Sequence, residues 1–411
     1  MKIGLFIDYS NMKAGGIFTY SIGILKLIIA TDSVEKIYLI YPRDQEEGLR
    51  QFISEPKITP VPINRQQIGF KYRAILAFFF YTSYYVYRTY FKKYFPNSNK
   101  LNLVRKLAIF LNPYRRIVDA LKLDVLHVPF KISPVYGTKT PVIVTTHDIQ
   151  EMYFPQFFTS QERIDRAILY KMAVDESDHI IVSFDHIKKD IVQYFKVPEE
   201  KISVCGLPLA QSWFSQNIYT SRRELIQKYN INEHFILYPA ATWPHKNHLT
   251  LLKSIALLKE RKLEAYLVCT GNKTDYFSVI DQEIQNLGLQ NNVSFLGIVP
   301  EKDLIGLYKS TELTVIPTLY EAGSGPLFES IWYGAAAICS NVTSLPEAID
   351  NIQYLFDPKN PNEIADLIEK GLSDKKWKKE NIENSIKRMD YYKKLTVDQD
   401  YLNVYQLIKR T

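Results

Sequence analysis

Short apolar runs alternate with longer amphipathic stretches along most of the chain. The runs at 2–8, 37–41, 124–129, 141–146, 179–183 and 202–204 are brief, nearly continuous and rich in Val, Ile and Leu. A strand covered on both faces has no polar side, so such runs predict buried parallel strands. A second set follows at 235–239, 265–269, 293–296, 313–316 and 336–339, and helical periodicity fills the gaps, for example at 20–29, 161–176 and 249–259. Strand and helix in repeated alternation predict an α/β, doubly wound sheet, and here the pattern occurs twice. The polar, irregular stretch 211–221 separates the halves. With 411 residues the chain exceeds the usual span of one core. Two domains are expected, 1–210 and 211–392. A final segment, 393–411, carries Tyr401, Val404, Tyr405 and Ile408 on one helical face.

One stretch, 69–122, breaks the alternation. It holds the apolar run 74–81 and then tyrosines interleaved with Arg88, Lys92 and Lys93. Thr82 and Ser83 stop the run well short of the roughly twenty residues that a membrane span needs. The net charge of +7 is concentrated here: no acidic residue lies between Glu55 and Asp119, a window with twelve lysines and arginines from Lys57 to Arg116. A basic aromatic helix in the headgroup layer of an anionic membrane, through about residues 71–116, fits this pattern. A solvated basic face over a phenylalanine-rich core fits it too. No nucleic-acid-binding signature accompanies the aromatics, and no nucleic-acid partner is expected.

Cys205, Cys269 and Cys339 sit far apart in apolar segments, with no C-x-x-C spacing, which suits buried thiols in a reducing compartment. The N-terminus reads as a strand, its apolar run being too short for a signal peptide. A cytoplasmic location is expected, with peripheral contact on the inner face of the cell membrane.

The candidate chemistry centres on Tyr320-Glu321-Ala322-Gly323-Ser324-Gly325-Pro326-Leu327-Phe328-Glu329, between the run 313–317 and Ser330-Ile331-Trp332. Proline favours a first helical turn, so a strand, a glycine turn and a helix starting near Pro326 are predicted. Unpaired amides at that helix start attract an anion, and small residues let it approach. Glu321 and Glu329 are then two carboxylates able to accept hydrogen bonds from ligand hydroxyls. A glycine turn flanked by two solvated glutamates has the same spacing.

This segment resembles the E-x7-E motif of the retaining glycosyltransferases of family 4, and the resemblance extends over most of the chain. It implies a GT-B fold: two Rossmann-like doubly wound domains facing a central cleft, the first for the acceptor, the second for a sugar nucleotide, with the terminal helix crossing back to the first. In that family the first glutamate contacts the donor sugar and the second the ribose hydroxyls, which points to Glu321 and Glu329, with Gly323, Ser324 and Gly325 lining the donor. Ser324 replaces the family's usual glycine, a departure that bears on sugar preference. After the first strand, Ala14-Gly15-Gly16 and Tyr20 match a G-G-x-x-x-Y element that sets Gly16 against the donor diphosphate; by itself this is equally a tight turn. His147-Asp148 ends a strand, where a lone histidine is often structural. The family's H-D pair reaches the sugar side, making His147 a catalytic candidate. His127 has no such support and reads as structural.

Lys246 precedes a helix and is the cation expected to stabilise the leaving diphosphate. The family's arginine five residues earlier is Ala241 here, so His245, Asn247 or another basic residue compensates, or turnover is slower. Gly271 is expected to line the donor site, and Ile298 and Val299 resemble the loop that meets the nucleotide base. His245 and His248 have no carboxylate or cysteine beside them, and Asp398-Gln399-Asp400 lies on the terminal helix, so no metal and no cofactor are expected. The segment 243–248 resembles bacterial mannosyltransferases that use GDP-mannose; UDP-glucose, UDP-N-acetylglucosamine and dTDP-rhamnose remain open. The implied acceptor is a glycan or lipid-linked intermediate of surface polysaccharide or lipopolysaccharide biosynthesis. A non-catalytic sugar-nucleotide binder is the alternative.

Overall fold

The computed structural model describes residues 1–8, 15–91, 99–208 and 218–409. Ala14 of the glycine turn, Lys92, Lys93 and most of the expected 211–221 linker lie outside the described residues. Two compact units divide the chain, Met1–Ala210 with Thr396–Thr411, and Gln211–Leu395.

In the first unit β1 (Lys2–Phe6), β2 (Lys36–Pro42), β3 (Ile58–Ile63), β4 (Val125–Val128), β5 (Val142–Thr145), β6 (His179–Val182) and β7 (Ile202–Val204) form one sheet, in the order β3-β2-β1-β4-β5-β6-β7. Every pairing is parallel. All residues of β4, β5 and β6 are buried, which accounts for their mostly apolar character, with His127, Thr145 and His179 the buried polar positions. β3 escapes the hydrophobic reading because Pro60 and Pro62 look like breakers. They sit at alternate positions of an edge strand, where both missing N–H groups fall on the open side.

The helix Val397–Ile408 belongs to this unit. Its Tyr401, Leu402, Val404 and Tyr405 enter the core formed around β1, β2 and the helix Gly15–Ala30. Hydrogen bonds fix it: Tyr20 Oη lies 2.6 Å from Tyr401 Oη, and His127 is held between Tyr405 Oη at 2.8 Å and Thr145 Oγ1 at 2.9 Å. The 69–122 stretch forms helices Ile68–Val86, Asn99–Leu111 and Pro113–Leu121, with a π-helical turn at Tyr87–Phe91. No helix among the described residues is long and apolar enough to cross a membrane.

The second unit holds β8 (Ile236–Pro239), β9 (Leu267–Thr270), β10 (Val293–Phe295), β11 (Leu313–Ile316), β12 (Ala337–Ser340) and β13 (Leu355–Phe356), all parallel, in the order β10-β9-β8-β11-β12-β13.

Buried histidines make this fold acid-sensitive. Burial depresses His127 and His248 to about 3, and His147 and His186 to about 4. The unfolded chain therefore binds protons that the folded chain refuses, and stability is lost as pH falls from about 6.5. By about pH 5.5 each such histidine costs about 1.4 kcal/mol. A melting series from pH 7.5 down to about 5 should show a falling Tm, with a smaller slope in His248→Phe.

Candidate functional site

The strand order of the second sheet reverses between β8 and β11. Loops leaving two such strands diverge and open a crevice at their carboxyl ends. Lys246 lies on the loop after β8 and Glu321 on the loop after β11. Lys246 Nζ donates to Glu321 Oε2 at 2.7 Å, with 17% and 12% of the two side chains exposed.

The backbone of both loops is pinned. Pro244–Lys246 is one turn of 3-10 helix, in which Tyr238 Oη donates to Lys246 O at 2.7 Å. His245 O accepts from Leu319 N at 2.8 Å and from Thr318 Oγ1 at 3.1 Å. Asn247 takes a left-handed φ of 60°, and its amide donates to Pro317 O at 2.8 Å and Pro358 O at 2.7 Å. Both amide protons are thus used inside the protein, so Asn247 is a clamp between the loops and offers no compensation for the charge absent at Ala241. Glu321 N donates to Thr343 Oγ1 at 3.0 Å, and Ser344 Oγ donates to Glu321 O at 3.1 Å. His248 is buried in the core against the rings of Tyr238 and Phe295. Among the described residues no group of three His, Cys, Asp or Glu could hold a metal ion.

The helix after Glu321 spans Gly325–Trp332. Ser324 is its N-cap: the hydroxyl, almost fully buried, accepts from Leu327 N at 3.3 Å. The side chain expected to bear on sugar preference is therefore engaged in capping. Gly323 has φ 144°, a conformation that favours glycine. Among the described residues no acceptor within the chain is recorded for the amides of Gly323, Ser324 and Gly325. Glu329 follows one turn into the helix, and Tyr308 Oη donates to its Oε2 at 2.6 Å. Burial pushes the Glu329 carboxyl above its ordinary value, and the Tyr308 bond works against that shift.

Gly271 has a structural reason to be glycine. Its φ is 118°, and a Cβ there would lie 2.7–2.8 Å from the Ala240 and Ala241 backbone. The loops after β8, β9 and β10 are stitched together at this point, with Thr242 N bonded to Asn272 O at 3.0 Å and Gly271 N to Gly297 O at 2.8 Å. Ile298 is 78% exposed, whereas Val299 packs against the core cluster containing Tyr308.

In the first unit the sheet reverses between β1 and β4. Gly16 opens the helix after β1 and is exposed, and a Cβ built on it meets nothing within 4 Å. Gly16→Ala should therefore fold like the parent with an unchanged Tm, and any loss of donor affinity it causes reports on ligand approach alone. His147, after β5, places Nε2 at 3.0 Å from Pro129 O. A carbonyl only accepts, so Nε2 carries the proton; burial, which holds the ring near pKa 4, keeps it neutral. The ring meets Tyr20 edge-on, with centroids 4.6 Å apart. Asp148 pairs with Lys131, a largely buried lysine on the loop after β4.

The sequence reading missed Tyr308, Thr343 and Lys131. None belongs to a recognisable local pattern, because each acts on a partner 17 to 22 residues away.

Residues 76–206 match the family described as Glycosyltransferase Family 4, and residues 221–388 match Glycosyl transferases group 1. The chain belongs to these glycosyltransferases. It is 24% identical over 269 residues to the O-antigen chain mannosyltransferase B of Escherichia coli, covering 65% of this chain and 70% of that protein. It is 25% identical over 253 residues to the serotype-specific mannosyltransferase WbdA of Escherichia coli, covering 60% of this chain but only 31% of WbdA. The structure of Anabaena HepE in complex with UDP and glucose aligns over 99% of both chains with a TM-score of 0.64 at 15% identity, a likeness of fold. The fold of this glycosyltransferase is GT-B, built from two parallel-sheet α/β domains of seven and six strands. The Lys246–Glu321 pair and Glu329 lie within the group 1 match, and His147 lies within the family 4 match.

Proposed function

We propose that this glycosyltransferase moves a hexose with retention of configuration from a nucleotide-sugar to a glycan or lipid-linked acceptor, without a metal, in surface polysaccharide biosynthesis. The observation that carries the reading is the Lys246–Glu321 pair at the switch point of the second sheet, beside the open amides of Gly323–Gly325. Without ligand the lysine and the carboxylate neutralise each other. A sugar diphosphate divides them: the phosphates take Lys246 and the amides, while sugar hydroxyls donate to Glu321. Charge developing on the departing diphosphate then meets a fixed cation and helix-start dipoles, which lowers the barrier without a covalent intermediate. The diphosphate itself helps to deprotonate the acceptor hydroxyl on the same face. Glu329, held by Tyr308, accepts from the ribose hydroxyls, and the backbone at Ile298 and Val299 meets the base. Gly271 lets the loops after β8 and β9 close up beside the phosphates. His147 offers Nδ1 as an acceptor for a sugar hydroxyl.

GDP-mannose is the favoured donor, supported by the two mannosyltransferase relatives. UDP-glucose is the second candidate, supported by the UDP and glucose in the aligned structure. The protein is placed at the inner face of the cell membrane through residues of the 71–116 stretch. Incubation with each sugar nucleotide, with and without acceptor glycan, tests the reading. Release of sugar from one donor is expected, with the product anomer matching the donor. Intact donor in every case would mark the protein as a non-catalytic binder.

A further inference from the structure

The helices Ile68–Val86 and Asn99–Leu111 pack against each other, and Arg73 ties them by donating to Phe110 O at 3.1 Å. Both turn apolar side chains outward. On the first, Ile68, Tyr72, Ile75, Leu76 and Phe79 follow the i, i+4, i+7, i+8, i+11 spacing of one helical face, and each is 46% to 73% exposed. The opposite face of that helix buries Ala77, Tyr81 and Tyr85. On the second, Leu103, Leu107 and Phe110 repeat the pattern at 40% to 67% exposure. A helix apolar on both faces marks a surface that something else covers. Beside the stripe, and sharing Phe79 with it, a cavity of about 590 Å³ opens between Phe78, Tyr87, Phe91 and the side chains of Ile164 and Ile168.

Charge decides what covers it. Several cations of this stretch are engaged internally: Arg65 with Asp8, Arg105 with Glu176, Arg115 with Asp119, while Lys57 and Arg73 bond to backbone carbonyls. Lys71 and Lys106 remain exposed on the two helices that carry the stripes, Arg88 on the π-helical turn after the first, and Arg116 on the helix Pro113–Leu121 that follows the second. No carboxylate between residues 56 and 118 offsets them. The acidic group lining the cavity, Asp165, comes from the helix Ser160–Glu176, which also presents Arg163.

We propose that this helix pair docks on an anionic phospholipid bilayer, with the two apolar stripes in the interfacial layer and the four exposed cations at the headgroups. The inference names the surface for the membrane contact in the functional reading above. Vesicle binding is measured without donor or acceptor, so its failure leaves the transferase assignment standing.

The test is flotation of the full-length protein with vesicles of phosphatidylcholine alone or mixed with phosphatidylglycerol. Binding to the anionic vesicles only is expected, weakening about five-fold for each of Lys71→Gln and Lys106→Gln, and weakening with salt. The combined variant Tyr72→Ser, Phe79→Ser, Leu103→Ser, Phe110→Ser should partition at least about ten-fold less, with an unchanged Tm because these side chains are exposed. The native cysteines are buried, so a polarity-sensitive dye attached to Phe79→Cys reports on that site alone; its emission should shift to the blue on anionic vesicles. Absent vesicle binding, undiminished binding by the four-site variant, or no dye shift would overturn the proposal. So would a dimer in free solution that the same four substitutions dissolve, since a second copy would then be what covers the stripes.

Discussion

Lys246→Ala is expected to reduce donor-dependent transfer by about ten- to a hundred-fold, through loss of a charge-assisted hydrogen bond of about 1.5–3 kcal/mol to the leaving diphosphate. Its partner gives the opposite sign for product binding. Glu321→Gln frees Lys246 from its 2.7 Å contact, so free nucleoside diphosphate should bind more tightly while sugar transfer falls. Stability separates from function in the double variant. Lys246→Ala leaves the largely buried Glu321 carboxylate without its cation, which destabilises the fold. Adding Glu321→Gln removes that charge, so Tm should recover while transfer stays low. Recovery of both, read from melts and initial rates, would reduce the pair to a structural salt bridge.

The second large effect concerns Glu329. Glu329→Gln should weaken sugar-nucleotide binding about ten-fold, the loss expected when a carboxylate acceptor for hydroxyl donors becomes a neutral amide. Tyr308→Phe leaves the carboxylate in place and alters its titration. The phenol is the one neighbour that lowers the Glu329 pKa against burial and against Glu301, so its removal raises that pKa further. Donor affinity falls as Glu329 gains its proton, so the acid limb of the binding curve should move toward neutral pH in Tyr308→Phe. Isothermal titration over a pH series checks the direction, and an unmoved limb would mean that Glu329 does not meet the ligand as a carboxylate.

The fold class was legible because buried parallel strands such as β4, β5 and β6 are apolar at three of their four positions and buried at all four. β3 was not, since its prolines are tolerated only by virtue of an edge position that no local pattern reveals. The E-x7-E segment and Lys246 could be picked out one at a time. Their pairing could not, because 75 residues separate Lys246 from Glu321 and only the strand order β8-β11 brings them together. Asn247 carried the same signal as a ligand-binding residue and proved to be a clamp, as its two carbonyl partners lie on distant loops. Ser324 reads as a substitution in a binding motif, yet its hydroxyl caps the following helix. The basic stretch is similar: composition counts twelve cations, but charge available to a partner depends on ion pairs with Asp8, Glu176 and Asp119, of which Asp8 and Glu176 lie outside the stretch.

Amide hydrogen exchange with and without sugar nucleotides is the most direct test of the donor site. GDP-mannose, or one of the UDP and dTDP donors, should slow exchange at the amides of residues 321–329 and 244–248, since the open Gly323–Gly325 amides acquire phosphate acceptors. Protection confined to other segments by a donor that demonstrably binds, or no protection by any of them at saturating concentration, would contradict the assignment of these two strand-end loops as the donor site.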